Sequence, residues 1–298
     1  MTTGIYVRSK NEKNIINFMK HYYNIGFDFI LFYDDMSYPS IQDVINSENN
    51  KEYDGKYKII RNEDLIDNNI KNLNNNEYFM DNILPVIKEN MDFCFYIDMD
   101  EYLKINSNKN IKDIIEQFDD FDSIKINWLL FGNNGIKKCE DLSNPKKIFT
   151  KSFNKLYNHI KSLTRVSKIC GCNNPHYFML KENSIVKNIF GDVSLNDHVE
   201  DKLTNYKFND VPFYLAHFIV QGTYGFITRR FCRNTANYKI FKHKNLKLFI
   251  ETNMDNIINF IHFETVKVKN ISKHEMEIVT SLKGFLNFHN GNEMFNQV

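Results

Sequence analysis

The first hundred residues alternate short apolar β-type runs with amphipathic helical stretches, and that alternation confines the chain to an α/β sheet architecture. Ile5-Tyr6-Val7 is a β-rich run. A helical stretch follows, with Ile15, Ile16, Met19, Tyr22 and Tyr23 on one face and Gly26 as its stop. Phe29-Ile30-Leu31-Phe32 reads as a buried strand that ends in the polar loop Asp34-Asp35-Met36-Ser37. Ser40 is placed to cap a helix running to Asn46, and Lys58-Ile59-Ile60 reads as a third strand. Residues 76–90 form a helical stretch interrupted at Pro85. Phe93-Cys94-Phe95-Tyr96-Ile97 is the strongest strand signal, and Asp98-Met99-Asp100 follows it directly.

Strands alternating with helices predict a mostly parallel central sheet flanked by helices and joined by right-handed crossovers. Ligands of such sheets bind beyond the carboxyl ends of the strands. Arg8, Asp34-Asp35 and Asp98-Met99-Asp100 all fall at those ends, so three polar clusters far apart in sequence are expected on one edge. Beyond Glu101, Ser123 to Leu130 alternates like a half-buried strand, and residues 131–135 form a turn. Residues 140–215 read as mixed and loop-rich, and 246–290 as mainly helical. The expected organisation is one α/β domain over 1–240 and a helical C-terminal extension over 241–298.

Charge narrows the partners. With 38 Lys+Arg against 37 Asp+Glu the net charge is +1, which argues against a nucleic-acid backbone as the main partner. The segment from Met1 to Lys10 has no apolar leader, and no stretch reaches the roughly 18 consecutive apolar residues of a spanning helix. A soluble cytoplasmic protein without a membrane span is expected, as monomer or homodimer. Five cysteines in 298 residues read as reduced thiols. Cys170, Cys172 and His176 sketch a zinc knuckle, but a fourth ligand at the right spacing is missing. The wealth of Asn, Lys and Ile fits a viral or other AT-rich genome.

Two aspartates one residue apart at a strand end suit a hard divalent cation such as Mn²⁺ or Mg²⁺. Such a cation can stabilise the charge that develops on a departing diphosphate. An Asp-x-Asp pair alone is also a common acidic turn. The calcium-loop reading fails because the required Gly and the closing Glu are absent.

The company this pair keeps is more specific. Asp98-Met99-Asp100-Glu101-Tyr102-Leu103 resembles the Asp-x-Asp-Glu-Phe-Leu of glycosyltransferase family 92 and its family 2-like relatives. Val7-Arg8-Ser9-Lys10-Asn11-Glu12, His21-Tyr22 with Ile25-Gly26-Phe27-Asp28, and Tyr33-Asp34-Asp35-Met36-Ser37 resemble that family's earlier segments in order. Asn127-Trp128-Leu129-Leu130-Phe131-Gly132-Asn133-Asn134-Gly135 resembles its Asn-Trp-x-x-Phe-Gly-Ser-Ser-Gly signature, the most specific piece. Lys161-Ser162-Leu163-Thr164-Arg165, Pro175-His176-Tyr177-Phe178 and Ala216-His217-Phe218 complete a series spanning residues 4–234. Two departures stand out. The family's Gln before the acidic motif is replaced by the Asn74-Asn75-Asn76 run, and its Lys-Ser after the late His by Gln221-Gly222.

The resemblance implies a GT-A fold and transfer of a hexose or N-acetylhexosamine from a UDP-sugar to a glycan or glycoprotein hydroxyl, with inversion and with Mn²⁺ or Mg²⁺. It implies that Val7, Arg8, Asp34, Asp35 and Met99 line the nucleotide. Asp100, Asp98 and His217 are the implied metal ligands, Asp98 also serving the donor. Lys161 and Arg165 would neutralise phosphate charge. Trp128, Gly132, Asn133 and His176 would shape the sugar and acceptor pocket, with the indole face against a sugar ring. Inversion needs a general base, for which Asp192, Asp197 and Glu200 are the candidates, Asp192 preferred. Two other readings compete: a non-catalytic carbohydrate-binding protein on a decayed transferase fold, and a sugar nucleotidyltransferase. The second class opens on a Gly-rich phosphate loop, which Gly4 to Glu12 lacks.

Overall fold

The structure is a computed structural model and describes residues 1–47, 51–61, 76–118, 120–134, 136, 139, 141–195, 203, 205–219, 221 and 294–296. The chain divides into two compact units, Met1–Leu129 with Lys155–His217, and Leu130–Asn154 with Phe218–Val298.

The first unit carries the sheet. Strand β1 (Thr3–Ser9) leads into helix α1 (Ile15–Asn24), β2 (Phe29–Asp34), α2 (Ile41–Ser47) and β3 (Tyr57–Arg61). After α3 (Asn76–Tyr78) comes a π-helical turn, Phe79–Ile83, and then α4 (Leu84–Asn90). The irregularity expected at Pro85 is therefore that π turn, and Pro85 sits in the first turn of α4, where its missing N–H costs nothing. Next come β4 (Phe93–Asp98), β5 (Glu101–Ile105), α5 (Ile111–Gln117) and β6 (Ser123–Leu130). A short helix α6 (Pro145–Ile148) and strand β7 (Lys151–Phe153) belong to the second unit. The first unit resumes with β8 (Ile160–Arg165), β9 (Ile169–Asn174), β10 (Tyr177–Leu180), β11 (Val186–Lys187) and β12 (Phe213–His217).

The main sheet runs β3-β2-β1-β4-β8-β6-β12-β5, with β11 added beside β6. β3, β2, β1 and β4 are mutually parallel, which fulfils the expected mixed α/β architecture with its parallel centre. β8 runs antiparallel to both β4 and β6, and β12 antiparallel to β5. The connection reverses direction at β1, whose two neighbours are β2 and β4, and this is the crevice where such sheets bind ligands.

Tyr6, Leu31, Tyr33, Cys94 and Tyr96 share one cluster with residues of the 78–91 helical stretch and with Phe178. Tyr22 of α1 packs its ring against Phe18 and Phe27, and Phe27 stacks on Phe95. The helix ends follow local chemistry. Gly26, at φ +97°, ends α1 in a backbone conformation that L side chains rarely adopt. Ser40 Oγ accepts from Asp43 N–H at 3.1 Å and donates to the Asp43 carboxylate at 2.6 Å, the expected cap of α2. Asn110 caps α5 through Lys112 and Asp113 N–H, and Asp113 reciprocates.

β6 departs from its half-buried expectation: all eight residues are buried, so both faces are covered. In the second unit, β7 pairs antiparallel with β13 (Met294–Asn296). The expected helical extension and the boundary at 240/241 lie outside the described residues. Among the described residues no helix is long and apolar enough to cross a membrane.

Candidate active site at the strand carboxyl ends

Strand register assembles the polar edge. Arg8 is the lateral partner of both Tyr33 and Asp98, and Ser9 pairs with Asp34, which pairs with Arg61. The three clusters expected on one edge therefore do meet there.

Asp34 is fully buried, and its carboxylate is used locally. One oxygen accepts from Ser37 N–H at 2.8 Å, and the other lies 3.5 Å from Ile41 N and 3.9 Å from Arg61 Nε. It thus fixes the loop that leads into α2. Asp35 is the more accessible of the two and pairs with Lys10 Nζ at 3.0 Å. Asn11 N–H donates to Ser37 Oγ, and Tyr38 N–H to Asn11 Oδ1, so the loops after β1 and β2 are tied together.

The acidic motif rests on two buried supports. Asn14 Nδ2 donates to Met99 O at 2.6 Å and to the Tyr102 hydroxyl at 2.7 Å. Lys161 has 0% exposure, and its ammonium donates to Asp98 Oδ2 at 2.8 Å and Pro175 O at 2.8 Å, with Glu101 Oε2 at 3.5 Å. Partial burial pushes the Asp98 carboxyl up, but the adjoining Lys161 ammonium outweighs that and holds it below the usual carboxylate range. Burial works against the Lys161 charge, yet Asp98 and Glu101 raise its pKa above the usual lysine value. Glu101 is also 0% exposed. Burial drives its carboxyl well above the ordinary value, with Lys161 opposing. Its Oε2 accepts from Asp98 N–H at 2.8 Å, while Oε1 is buried with no hydrogen-bond partner.

Asp100 turns the other way. β5 and β12 place Glu101 opposite His217, and His217 Nε2 lies 3.6 Å from Asp100 Oδ1. Among the described residues no group of three or more His, Cys, Asp or Glu side chains is arranged to hold a metal ion. Of the expected trio, Asp100 and His217 come together, while Asp98 is committed to Lys161.

Behind His217 lies Trp128. Its ring centroid is 4.2 Å from that of His217, 5.3 Å from that of His176 and 5.3 Å from that of His159, the last nearly parallel at 21°. With 8% exposure and three imidazoles around it, the indole does not offer an open face to a sugar ring.

The family model for glycosyltransferase family 92 matches residues 2–210. This chain belongs to glycosyltransferase family 92. Membership implies sugar transfer, and so a sugar donor and an acceptor. A crystal structure of GalNAc-T7 with UDP, GalNAc and Mn²⁺ is similar over 97% of this chain and 55% of that one, at 10% identity and a TM-score of 0.38. No curated protein matches.

Not every residue expected in the site of this family 92 chain reaches the acidic edge. Arg165 pairs with Phe93, at the opposite end of β4 from Asp98, about 16 Å away at a rise of about 3.3 Å per residue. There it binds Phe121 O and Asp122 and covers the Phe93 ring. Asp192 is exposed, and its amide and carboxylate bond to the Asn188 side chain. Its neighbours Phe190 and Gly191 line a cavity of about 600 Å³ with Ile105 and Phe213. Those two residues are paired at the far end of β5 and β12 from Glu101 and His217, about 13 Å along the strands. Asp197 and Glu200 lie outside the described residues. Val7 is fully buried and pairs with Phe32 of β2 and Ile97 of β4.

Gly132 and Asn133 belong to the second unit, where Gly132 N–H donates to Lys151 O and Ile136 N–H to Asn133 O. Asn134 braces that loop through Ile148 O, Thr150 Oγ1 and Lys151 N–H. Sequence reasoning missed Asn14. A buried Asn preceding a helix reads as an N-cap, but its side chain makes no capping bond and reaches across to the acidic turn instead.

Proposed function

We propose that this chain is a GT-A-type transferase that moves a hexose or N-acetylhexosamine from a UDP-sugar to a glycan hydroxyl with inversion. The observation that carries the reading is the Asp100–His217 pair, 3.6 Å apart, beside the crevice where the chain reverses between β2, β1 and β4. A diphosphate-bridging Mg²⁺ or Mn²⁺ takes only one or two protein ligands, with waters and phosphate oxygens completing its shell. Asp100 and His217 fit that chemistry and would hold such an ion. When bound, it would act as a Lewis acid on the leaving diphosphate.

In this reading Asp98, kept ionised by Lys161, faces the donor with its 45%-exposed side chain. Arg8 and Asp35 line the nucleotide, and Asn14 and Lys161 hold the turn that presents both aspartates. Asp197 and Glu200 stay as candidates for the general base, because Asp192 sits with the distant cavity. A soluble cytoplasmic protein, monomer or homodimer, remains part of this proposal.

The test is a donor-hydrolysis screen over UDP- and GDP-sugars with and without Mn²⁺, repeated on Asp100→Ala. Metal-dependent cleavage of a UDP-sugar that falls at least about a hundredfold in Asp100→Ala, the scale of losing one transition-state contact, supports the reading. Undiminished activity in that variant overturns the ion assignment. A non-catalytic binding protein would instead take up UDP-sugar and never cleave it.

A further inference from the structure

The surroundings of Trp128 hold two complementary hydrogen-bonding valences that the fold leaves open. Trp128 Nε1–H is buried and has no hydrogen-bond partner, although an indole N–H can only donate. Leaving a buried donor unmet costs about 1 to 3 kcal/mol, so such a group calls for an acceptor from outside the fold, a water or a ligand oxygen. His176 stands 5.3 Å away, centroid to centroid. Its Nδ1 lies 2.9 Å from the carbonyl oxygen of Ile160. A carbonyl accepts only, so Nδ1 carries the proton and Nε2 presents a lone pair. Burial, reinforced by the Lys161 charge, lowers the His176 pKa to about 4, so this tautomer stays neutral at physiological pH. Unlike the indole, His176 is part-exposed.

One donor and one acceptor on neighbouring rings suit a hydroxyl, which accepts and donates through the same oxygen. Position selects which hydroxyl. Trp128 contacts His217 edge-on at 4.2 Å, and His217 Nε2 is 3.6 Å from Asp100. The pair is thus one imidazole removed from the residues proposed to hold the ion on the diphosphate. The group bonded directly to that diphosphate is the transferred sugar.

We propose that Trp128 Nε1–H and His176 Nε2 read one hydroxyl of the transferred sugar, and that this pair sets which sugar the enzyme accepts. The inference rests on the UDP-sugar reading above and replaces face-on stacking of a sugar on the indole with an edge-on hydrogen bond. A site built to pair with a hydroxyl discriminates strongly against a sugar that lacks or inverts it, because its own buried groups are then left unmet.

The chain contains a single tryptophan, so its intrinsic fluorescence reports on this indole alone. The experiment titrates the full chain with UDP, with UDP-hexoses and UDP-N-acetylhexosamines, and with the free monosaccharides, each with Mn²⁺, following emission. UDP binding is measured in parallel by calorimetry. The expected result is a change in emission with one class of UDP-sugar and little with UDP. In His176→Phe that preference among donor sugars should fall at least tenfold, with UDP affinity unchanged, and His176→Gln, which keeps an acceptor, should restore much of it. Trp128→Phe, assayed by donor hydrolysis, should lose the same preference through a higher KM for the preferred sugar. If UDP binds but emission is the same with and without the sugar, the pair is overturned while the donor reading stands. If UDP does not bind, the donor reading fails. The free monosaccharides then decide the pair: a sugar-specific emission change supports it, and none overturns it.

Discussion

Lys161 binds two carboxylates at once. Its ammonium is fully buried and touches both Asp98 and Glu101. Removing that ammonium leaves Pro175 O and the buried Glu101 carboxyl without their donor, at a cost of about 1 to 3 kcal/mol. Lys161→Met should therefore lower urea-unfolding stability by that order and release the Asp98 carboxylate from its fixed orientation. An equally stable Lys161→Met would mean that the cluster is held elsewhere. His176 gives the second prediction at this scale. Its folded pKa is lowered to about 4 from 6.5, so between those values the unfolded chain binds the extra proton. Stability should rise with pH through that window and flatten above it. At about 1.4 kcal/mol per unit, the window is worth about 3 kcal/mol from this group. His176→Gln should remove that part of the slope in urea midpoints measured from pH 4 to pH 7.

At the scale of elements, two asparagines beside helices do different work. Asn110 caps α5, and its side-chain hydrogen bonds go only to the helix start. Asn110→Ala should cost about 1 kcal/mol and leave donor cleavage unchanged. Asn14 precedes α1, but its amide holds Met99 O and the Tyr102 hydroxyl. Asn14→Ala should cost about 1 to 3 kcal/mol and also lower kcat, because the turn carrying Asp98 and Asp100 loses its tie. Comparing unfolding midpoints with initial rates for the two variants separates capping from positioning.

The same contrast explains what the sequence could reveal. β1, β2 and β4 were legible because each is a dense apolar run, and α1 because its apolar face repeats at helical spacing. β8 was not. Lys161, Ser162 and Thr164 interrupt its apolar pattern, yet all three are buried between β4 and β6. A buried lysine that pays its desolvation through two carboxylates reads as a surface residue until its partners are known. Arg165 was misplaced for a related reason. Its motif neighbour Lys161 lies four residues earlier on the same strand, so the two residues sit near opposite ends of β4. Asp98 and Asp100 were correctly put at a strand end, but periodicity could not tell that one would turn to Lys161 and the other to His217.

For the whole molecule, ligand binding should appear as stability. If UDP and Mn²⁺ bind the native state alone, a hundredfold excess over Kd adds about 2.7 kcal/mol. For a chain of this size, that corresponds to a rise in Tm of about 4 to 5 °C. The rise should need both components and should lose its Mn²⁺ dependence in Asp100→Ala. A shift with UDP alone that Mn²⁺ leaves unchanged would contradict a shared site.

The strand order also has a consequence for synthesis. β1 is made first but lies inside the sheet, with Gly4 beside Phe29 on one side and Cys94 on the other. One flank can close as soon as β2 is made. The other must wait for a partner roughly ninety residues downstream, several seconds at a ribosome adding about 5 to 20 residues per second. During that interval β1 presents an open hydrogen-bonding flank to its surroundings, the sort of edge that invites mispairing. The segment that relieves it is β4, which ends in Asp98. The closing of the β1 flank and the arrival of the acidic turn are therefore one event in the life of the nascent chain, after which β4 in turn waits for β8. A chain stopped short of that turn would be an aggregation hazard before it was a failed enzyme.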